Sequence, residues 1–140
     1  MNEQLSFFGE IGMDETPQIP FEEQKKGTVG WVIMPTAAYT VENGFDRNMI
    51  GVETRKVRLW KDSSEDRIGR TQYAETIDLR GCGWCADPRP LYRTRPSWKE
   101  CVEYIRKTRR REPQDFEVVY TRSNWEGSYD ICSWEEGARP

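Results

Sequence analysis

The sequence contains no histidine among its 140 residues. Histidine is the commonest general base near neutral pH, and it also completes mixed His/Cys zinc sites, so both features are excluded. The chain also lacks a Gly-x-Gly-x-x-Gly motif, a Walker loop, a nucleophile elbow and a His-Glu-x-x-His motif. We therefore assign no catalytic residue. A small enzyme that uses Cys or carboxylates is the third of three function classes, after the two binding classes described below.

Long hydrophobic runs are missing as well. Hydrophobic residues make up 36% of the chain and charged residues 32%, which argues against a membrane span. Residues 1–12 lack the basic start and apolar run of a signal peptide. These features predict a cytoplasmic location, in a bacterial or phage-infected cytosol, with reduced thiols and no membrane partner.

The net charge of −3 conceals a segregated pattern. Residues 1–54 carry three basic and nine acidic side chains, residues 55–111 carry sixteen and eight, and residues 112–140 carry two and seven. A basic middle can attract an anionic partner, although charges can equally do no more than solvate a surface. The candidate basic binding face comprises Arg55, Lys56, Arg58, Arg89, Arg93, Arg95, Arg106, Lys107, Arg109, Arg110 and Arg111.

The hydrophobic pattern predicts a single α+β domain over residues 27–140, with four to five mainly antiparallel strands and one principal helix packed on the sheet. Short β-branched and aromatic runs indicate strands at 28–34, 50–60, 73–79, 116–122 and 129–134, of which the last two form a hairpin. Pro35 is expected to end the first strand. In the second, Val57 and Leu59 face inward, while Lys56, Arg58 and Trp60 form a cationic and aromatic outer face.

The helix is predicted over residues 98–110. Ser97 is a typical N-cap and Glu100, three residues later, completes a capping box. Trp98, Cys101, Val102 and Ile105 recur at helical spacing and should pack on the sheet. Basic residues crowd the last turns, where they complement the helix dipole, before Pro113 ends the helix.

Residues 1–26 are polar, acidic and contain prolines, so they are predicted to form a flexible tail. Within the tail, Gln4-Leu5-Ser6-Phe7-Phe8 is similar to the Gln-Leu-(Ser/Asp)-Leu-Phe peptide with which bacterial replication and repair proteins dock onto the DNA sliding clamp. The resemblance implies that Gln4 bonds at the pocket rim and that Leu5, Phe7 and Phe8 fill two hydrophobic subsites. Phe7 stands where Leu is usual. The alternative is that these apolar residues fold back onto the domain.

The four cysteines include one pair at two-residue spacing, Cys82 and Cys85, flanked by glycines that suit a tight turn. A zinc site would need Cys101 and Cys132 as the other two ligands, and zinc is the one cofactor that the sequence suggests. A redox pair and small buried thiols are the alternatives.

These observations favour a non-catalytic cytosolic binding protein, encoded by a phage or mobile element, that docks onto a host protein or ribonucleoprotein machine handling nucleic acid. An inhibitor of a bacterial defence nuclease, as anti-CRISPR proteins are, is a special case of this class. The second alternative is a zinc-stabilised module that binds DNA or RNA through the basic middle, where cations lie among Trp60, Trp84 and Tyr92.

Overall fold

The computed structural model describes residues 15–40, 44–65, 71–77, 83–109, 115–123 and 129–138. Within these residues the chain forms six strands and one α-helix. In chain order they are β1 (Val29–Thr40), β2 (Gly44–Leu59), β3 (Gln72–Thr76), β4 (Gly83–Ala86), α1 (Trp98–Thr108), β5 (Glu117–Ser123) and β6 (Tyr129–Ile131). Single turns of 3-10 helix lie at Phe21–Glu23, Ser63–Glu65 and Glu136–Ala138.

The six strands form one curled mixed sheet in the order β1-β6-β5-β2-β3-β4, and β1 also pairs with β2. The α+β class with one helix on a sheet is therefore confirmed. The expectation of four to five mainly antiparallel strands is only roughly met, because β5 lies parallel to β2 and β6 lies parallel to β1. Parallel neighbours need a long crossover, which the segment containing α1 supplies between β2 and β5.

The first strand is longer than its sequence indicates. Pro35 was expected to end it, yet β1 continues to Thr40 and Pro35 pairs with Val52 in β2. On its other edge, β1 pairs with Tyr92 at Trp31 and with Asp130 at Tyr39. Among the described residues, no strand pairs with this edge at Pro35, and a missing N–H is tolerated at such an edge position.

The sheet buries apolar residues on both faces. On one face, Cys101 and Ile105 of α1 pack against a cluster that contains Ile33, Val52, Phe116, Val118 and Tyr120. On the other face, a second cluster contains Ile19, Val32, Val57, Leu59, Ala74 and Leu91. The sheet therefore lies between two apolar layers over the part that these two clusters cover.

Helix α1 begins where the capping box predicts. Ser97 Oγ accepts a hydrogen bond from Glu100 N at 3.1 Å, and Glu100 Oε1 accepts one from Ser97 N at 2.9 Å. The helical spacing of apolar residues is also confirmed, since Cys101 and Ile105 are the buried residues of the helix.

Gly51 lies where side chains of β1 and β5 meet across β2. Thr36 of β1 and Thr121 of β5 approach each other across Gly51, and their hydroxyl oxygens lie 2.6 Å apart. A Cβ on residue 51 would overlap both threonine side chains. Glycine is thus required here by the close approach of the flanking strands.

The predicted tail boundary at residue 27 differs from the packing. Ile19 is 6% exposed, belongs to the second apolar cluster, and donates a backbone hydrogen bond to Leu91 O at 2.7 Å. Thr16 donates from N and Oγ1 to Glu100 at 3.0 and 2.6 Å. Residues 15–26 therefore pack on the domain because one isoleucine is buried and several backbone groups find partners there.

Two other predicted strands have different bounds. β3 covers Gln72–Thr76 instead of the predicted 73–79, and it buries Gln72, Ala74 and Thr76. Leu79 lies outside the described residues. The β5–β6 hairpin is confirmed as an antiparallel pair, but β6 ends at Ile131, so Cys132 and Trp134 follow the strand.

No helix within the described part of the chain is long and apolar enough to cross a bilayer.

Candidate docking surface

The outer face of β2 has the composition that its alternating pattern predicts. Val57 and Leu59 are buried at 0% and 2% exposure, while Lys56, Arg58 and Trp60 are exposed. Because paired residues of neighbouring strands share a face, this face extends from β2 onto β3 and β4. Its cationic and aromatic members, hereafter the cationic aromatic face, are Lys56, Arg58, Trp60, Lys61 and Tyr73.

Trp60 is the most prominent residue of this face, with 43% of its surface exposed. Its six-membered ring occupies the space above Gly83 in β4, where a Cβ would overlap Cη2 and Cζ2 of the indole. The ring therefore reaches across β3 and rests against the backbone of β4. Gly83 keeps that space free, so the indole is supported from below and open to solvent elsewhere.

Tyr73 lies beside Trp60 on the neighbouring strand. The backbone N–H of Trp60 donates to Tyr73 O at 3.0 Å, and the ammonium of Lys61 lies 4.5 Å from the centroid of the Tyr73 ring. This cation-π contact holds a positive charge over the Tyr73 ring. Trp60, Tyr73 and the Lys61 ammonium therefore lie together at this end of β2 and β3.

The charges of the face are only partly compensated. Arg58 forms an exposed ion pair with Glu75 at 3.0 Å. For Lys56 and Lys61, no carboxylate of the described residues lies within 4.0 Å of the ammonium nitrogen. The face therefore carries a local positive excess at Lys56 and Lys61.

Several other arginines of the predicted basic face have structural contacts. Arg55 points to the opposite side of β2 from Lys56 and pairs with Glu53 at 3.2 Å. Arg95 donates to Thr54 Oγ1 at 2.9 Å and to Trp134 O at 2.7 Å, and its guanidinium stacks 3.9 Å from the Trp134 ring.

Two more arginines of the connector make contacts of the same kind. Arg89 lies over the Trp84 ring at 5.3 Å, and Arg93 pairs with Glu23 at 3.0 Å in an exposed position. Of the aromatic residues expected among the cations, Tyr92 is buried and Trp84 is half-buried beneath Arg89, whereas Trp60 is exposed.

The basic end of α1 lies at a different place. Arg106 contacts Phe116, with a hydrogen bond to Phe116 O at 3.3 Å and the ring centroid 4.8 Å away. Phe116 precedes the start of β5, which pairs with β2 from Met49 onward. Lys56 is seven positions further along β2, roughly 23 Å away at the rise of a strand. Lys107 and Arg109 are exposed near Arg106, and Arg110 and Arg111 lie outside the described residues.

A buried polar cluster stabilises the side of β2 opposite Lys56. The carboxylate of Glu53, which is 6% exposed, accepts hydrogen bonds from Ser123 N at 2.9 Å and Ser123 Oγ at 2.6 Å. Arg55 donates to the same carboxylate and to Ser123 Oγ at 2.8 Å. This cluster joins β5 to β2. Because the hydrogen-bonding capacity of the Glu53 carboxylate is met within the fold, the cluster offers little to a ligand.

The three described cysteines lie in different environments. Cys85 is exposed on β4, Cys101 is buried under α1, and Cys132 is half-buried after β6. Burial raises the pKa of the Cys101 thiol to about 12, despite the nearby Arg95 guanidinium. Burial, with the Glu136 carboxylate, also raises the pKa of Cys132.

The structure does not bring Cys85, Cys101 and Cys132 together. Among the described residues, no three side chains of ligand type form a group that could hold a metal ion, and Cys82 lies outside them. A tight turn was expected at the Cys-x-x-Cys segment, but Gly83–Ala86 is extended and forms strand β4. The four-cysteine zinc site stays a prediction.

The sliding-clamp-like residues Gln4, Leu5, Phe7 and Phe8 lie outside the described residues. Their docking role stays a prediction from the sequence alone.

Sequence reasoning missed two members of the cationic aromatic face, Lys61 and Tyr73, and the glycine that supports Trp60, Gly83. The register between β2, β3 and β4 brings Tyr73 and Gly83 to Trp60, and no local pattern encodes that register. Lys61 follows Trp60 directly, but its contact with the Tyr73 ring depends on the same register.

Comparison with known proteins adds no relative to this geometry. No protein-family model matches the chain, and neither the curated proteins nor the solved structures give a significant match.

Proposed function

We propose that this chain is a non-catalytic binding protein that docks onto a nucleic-acid-handling machine of a bacterial host, in the cytoplasm, through its cationic aromatic face. The observation that carries the proposal is the exposed indole of Trp60, which rests on Gly83 near Lys56 and Lys61, two cations with no carboxylate partner among the described residues. The fold gains little from exposing a large aromatic ring in this position. A binding partner gains a rigid apolar anchor.

The composition of the face is that of a binding hot spot. Tryptophan, tyrosine and arginine are enriched among the residues that dominate interface energies. Val29, which is 40% exposed, pairs with Arg58 on the adjacent strand and extends the apolar area. The surrounding cations favour a partner of negative potential and accelerate its association.

The N-terminal peptide supplies a second attachment in this proposal. Residues 4–8 resemble the sliding-clamp-binding peptide, which is a short linear motif. Two weak attachments on one chain raise the overall affinity through effective concentration. A phage- or mobile-element-encoded inhibitor of a defence nuclease is one form of such an adaptor.

The test is capture on the tagged full-length chain from a bacterial lysate and from the same lysate after nuclease treatment, so that partners bound through nucleic acid and partners bound directly are both detected. We expect a bound protein to be lost when Lys56 and Lys61 are both replaced by Glu, and to be retained in the Lys99→Glu variant. Lys99 is an exposed lysine of α1 outside the face, so it controls for a general effect of charge.

The peptide is tested separately with a variant that combines Leu5→Ala and Phe8→Ala. If clamp capture depends on the motif, this variant loses the clamp while the Lys56/Lys61 variant keeps it. Capture that neither variant changes would contradict the proposal.

A further inference from the structure

We propose that the ligand of the cationic aromatic face is single-stranded nucleic acid, with a base stacked on Trp60 and phosphates bound by Lys56 and Lys61. This inference rests on the proposed function and specifies the chemistry of the partner at the same surface.

Strand β4 supports the indole of Trp60. The Trp60 ring fills the space above Gly83, so the backbone of β4 fixes its position while 43% of the residue remains exposed. A ring that is supported in this way loses little conformational freedom when a base stacks on it. Aromatic platforms on a sheet face are a recurring way to bind unpaired bases.

Tyr73 positions a cation beside the indole. Trp60 and Tyr73 lie on adjacent strands, joined by the 3.0 Å hydrogen bond from Trp60 N to Tyr73 O. Adjacent strands are about 4.8 Å apart, so a base stacked on Trp60 lies close to Tyr73 and its neighbouring cation. Lys61, at 4.5 Å from the Tyr73 centroid, then places its ammonium beside the backbone of the ligand.

The charges of the cationic aromatic face are separated along the surface. Arg58 is neutralised in part by Glu75, whereas Lys56 and Lys61 are without a carboxylate partner among the described residues. Phosphates spaced along a strand match such separated cations. A duplex hides the faces of its bases, so the exposed indole of Trp60 favours the single strand. An acidic protein would satisfy the lysines, but it would leave the indole without a stacking partner.

The experiment is fluorescence anisotropy of the full-length chain with three labelled probes of about 20 nucleotides, which exceeds the site size of comparable sheet surfaces. The probes are oligo(dT), oligo(U) and a mixed-sequence DNA duplex. We expect single strands to bind more tightly than the duplex. Trp60→Ala should weaken single-strand binding about 5- to 150-fold, the range for one stacked base, and Trp60→Phe should retain most of it.

The lysines are tested by salt dependence. The slope of log affinity against log salt is about −0.7 per phosphate contact for single strands, so replacing Lys56 and Lys61 by Ala should make it less steep by about 1.4. Lys99→Ala is the matched control and should leave the slope unchanged. Because these lysines are exposed, their variants stay folded and keep the test valid even if Trp60→Ala does not.

The inference is overturned if neither single-stranded probe binds at low salt, if Trp60→Ala binds as well as the wild type, or if the duplex binds more tightly. In those cases, a protein from nuclease-treated lysate that still depends on Lys56 and Lys61 would leave the proposed function standing with an acidic protein partner. Loss of both kinds of binding would remove the inference and the proposed function together.

Discussion

A single glycine links the structure of the sheet to the character of its surface. Gly83 has no positive φ, so its importance does not come from backbone freedom. It is needed because the Trp60 indole occupies the position of a side chain at this site. The sequence suggested that the glycines at the Cys-x-x-Cys segment form a tight turn. The role of Gly83 could not be predicted, because a sequence does not show which side chain from another strand will cover a given residue.

Replacing Gly83 by alanine tests this arrangement. The new Cβ must displace the indole, and we expect a loss of about 1 kcal/mol of unfolding free energy, at the low end for inserting a methyl group into a packed site. In a Trp60→Ala background the same change should cost much less, because the clash is gone. Urea denaturation of the four proteins gives the coupling between the two residues.

An equal cost of Gly83→Ala in both backgrounds would show that the ring does not rest on this residue. A convenient control is Gly137→Ala, whose Cβ would meet Tyr120 and which is unconnected with Trp60.

At the scale of elements, α1 was predictable because its determinants are local. Ser97 and Glu100 are three residues apart, the apolar residues repeat with helical spacing, and both signals need only the adjacent sequence. The strands were less well predicted. Their positions were found, but the extension of β1 through Pro35 and the parallel pairing of β2 with β5 depend on residues distant in the chain.

The N-terminus of α1 also predicts a dependence of stability on pH. Burial disfavours the charged form of Glu100, but hydrogen bonds from Thr16 and Ser97 outweigh it and hold the pKa of Glu100 below its ordinary value of 4.5. A lowered folded-state pKa stabilises the fold above the unfolded-state pKa. This contribution is lost as the pH falls below 4.5 and through the folded-state pKa, because the proton binds more tightly to the unfolded chain.

We therefore expect wild type to be more stable than Glu100→Gln at pH 7, and the difference to shrink in acid as Glu100 protonates. Urea denaturation midpoints across the pH range measure it. Glu103→Gln, an exposed carboxylate on the same helix, is the matched control and should show a smaller difference. Ser97→Ala, which removes the other half of the capping box, should cost about 1 kcal/mol at neutral pH. A difference between wild type and Glu100→Gln that does not vary with pH would contradict the assignment.

At the scale of the whole molecule, the segregated charge of the sequence does not translate into one basic surface. Folding places Lys56 and Arg58 towards one end of β2 and Arg106 near the other end, while Arg95 is tied to Thr54 and Trp134. The composition of the middle segment could be read from the sequence. Its division in space could not, because it depends on the direction in which α1 crosses the sheet.

The position of the domain boundary gives a prediction for truncated chains. A chain that begins at residue 15 retains Thr16 and Ile19 and should match the full-length protein in unfolding free energy. A chain that begins at residue 27 loses the buried Ile19 and its hydrogen bond to Leu91, and should be less stable by about 2–5 kcal/mol, the range for removing a buried isoleucine side chain.

Ile19→Ala in the full-length chain separates the side chain from the rest of the segment, and it should account for a large part of that loss. Equal stability of the chains starting at residues 15 and 27 would show that the domain begins after the segment.

The close approach of Thr36 and Thr121 across Gly51 also has a kinetic consequence. The β1–β2 pairing joins neighbours in the chain, whereas β5 reaches Gly51 only after β3, β4 and α1 have been synthesised. Loop closure of this length is entropically costly, and contacts of high sequence separation slow folding. The β1–β2 hairpin is thus expected to form early, and docking of β5 against Gly51 to be the slow step that completes the native sheet.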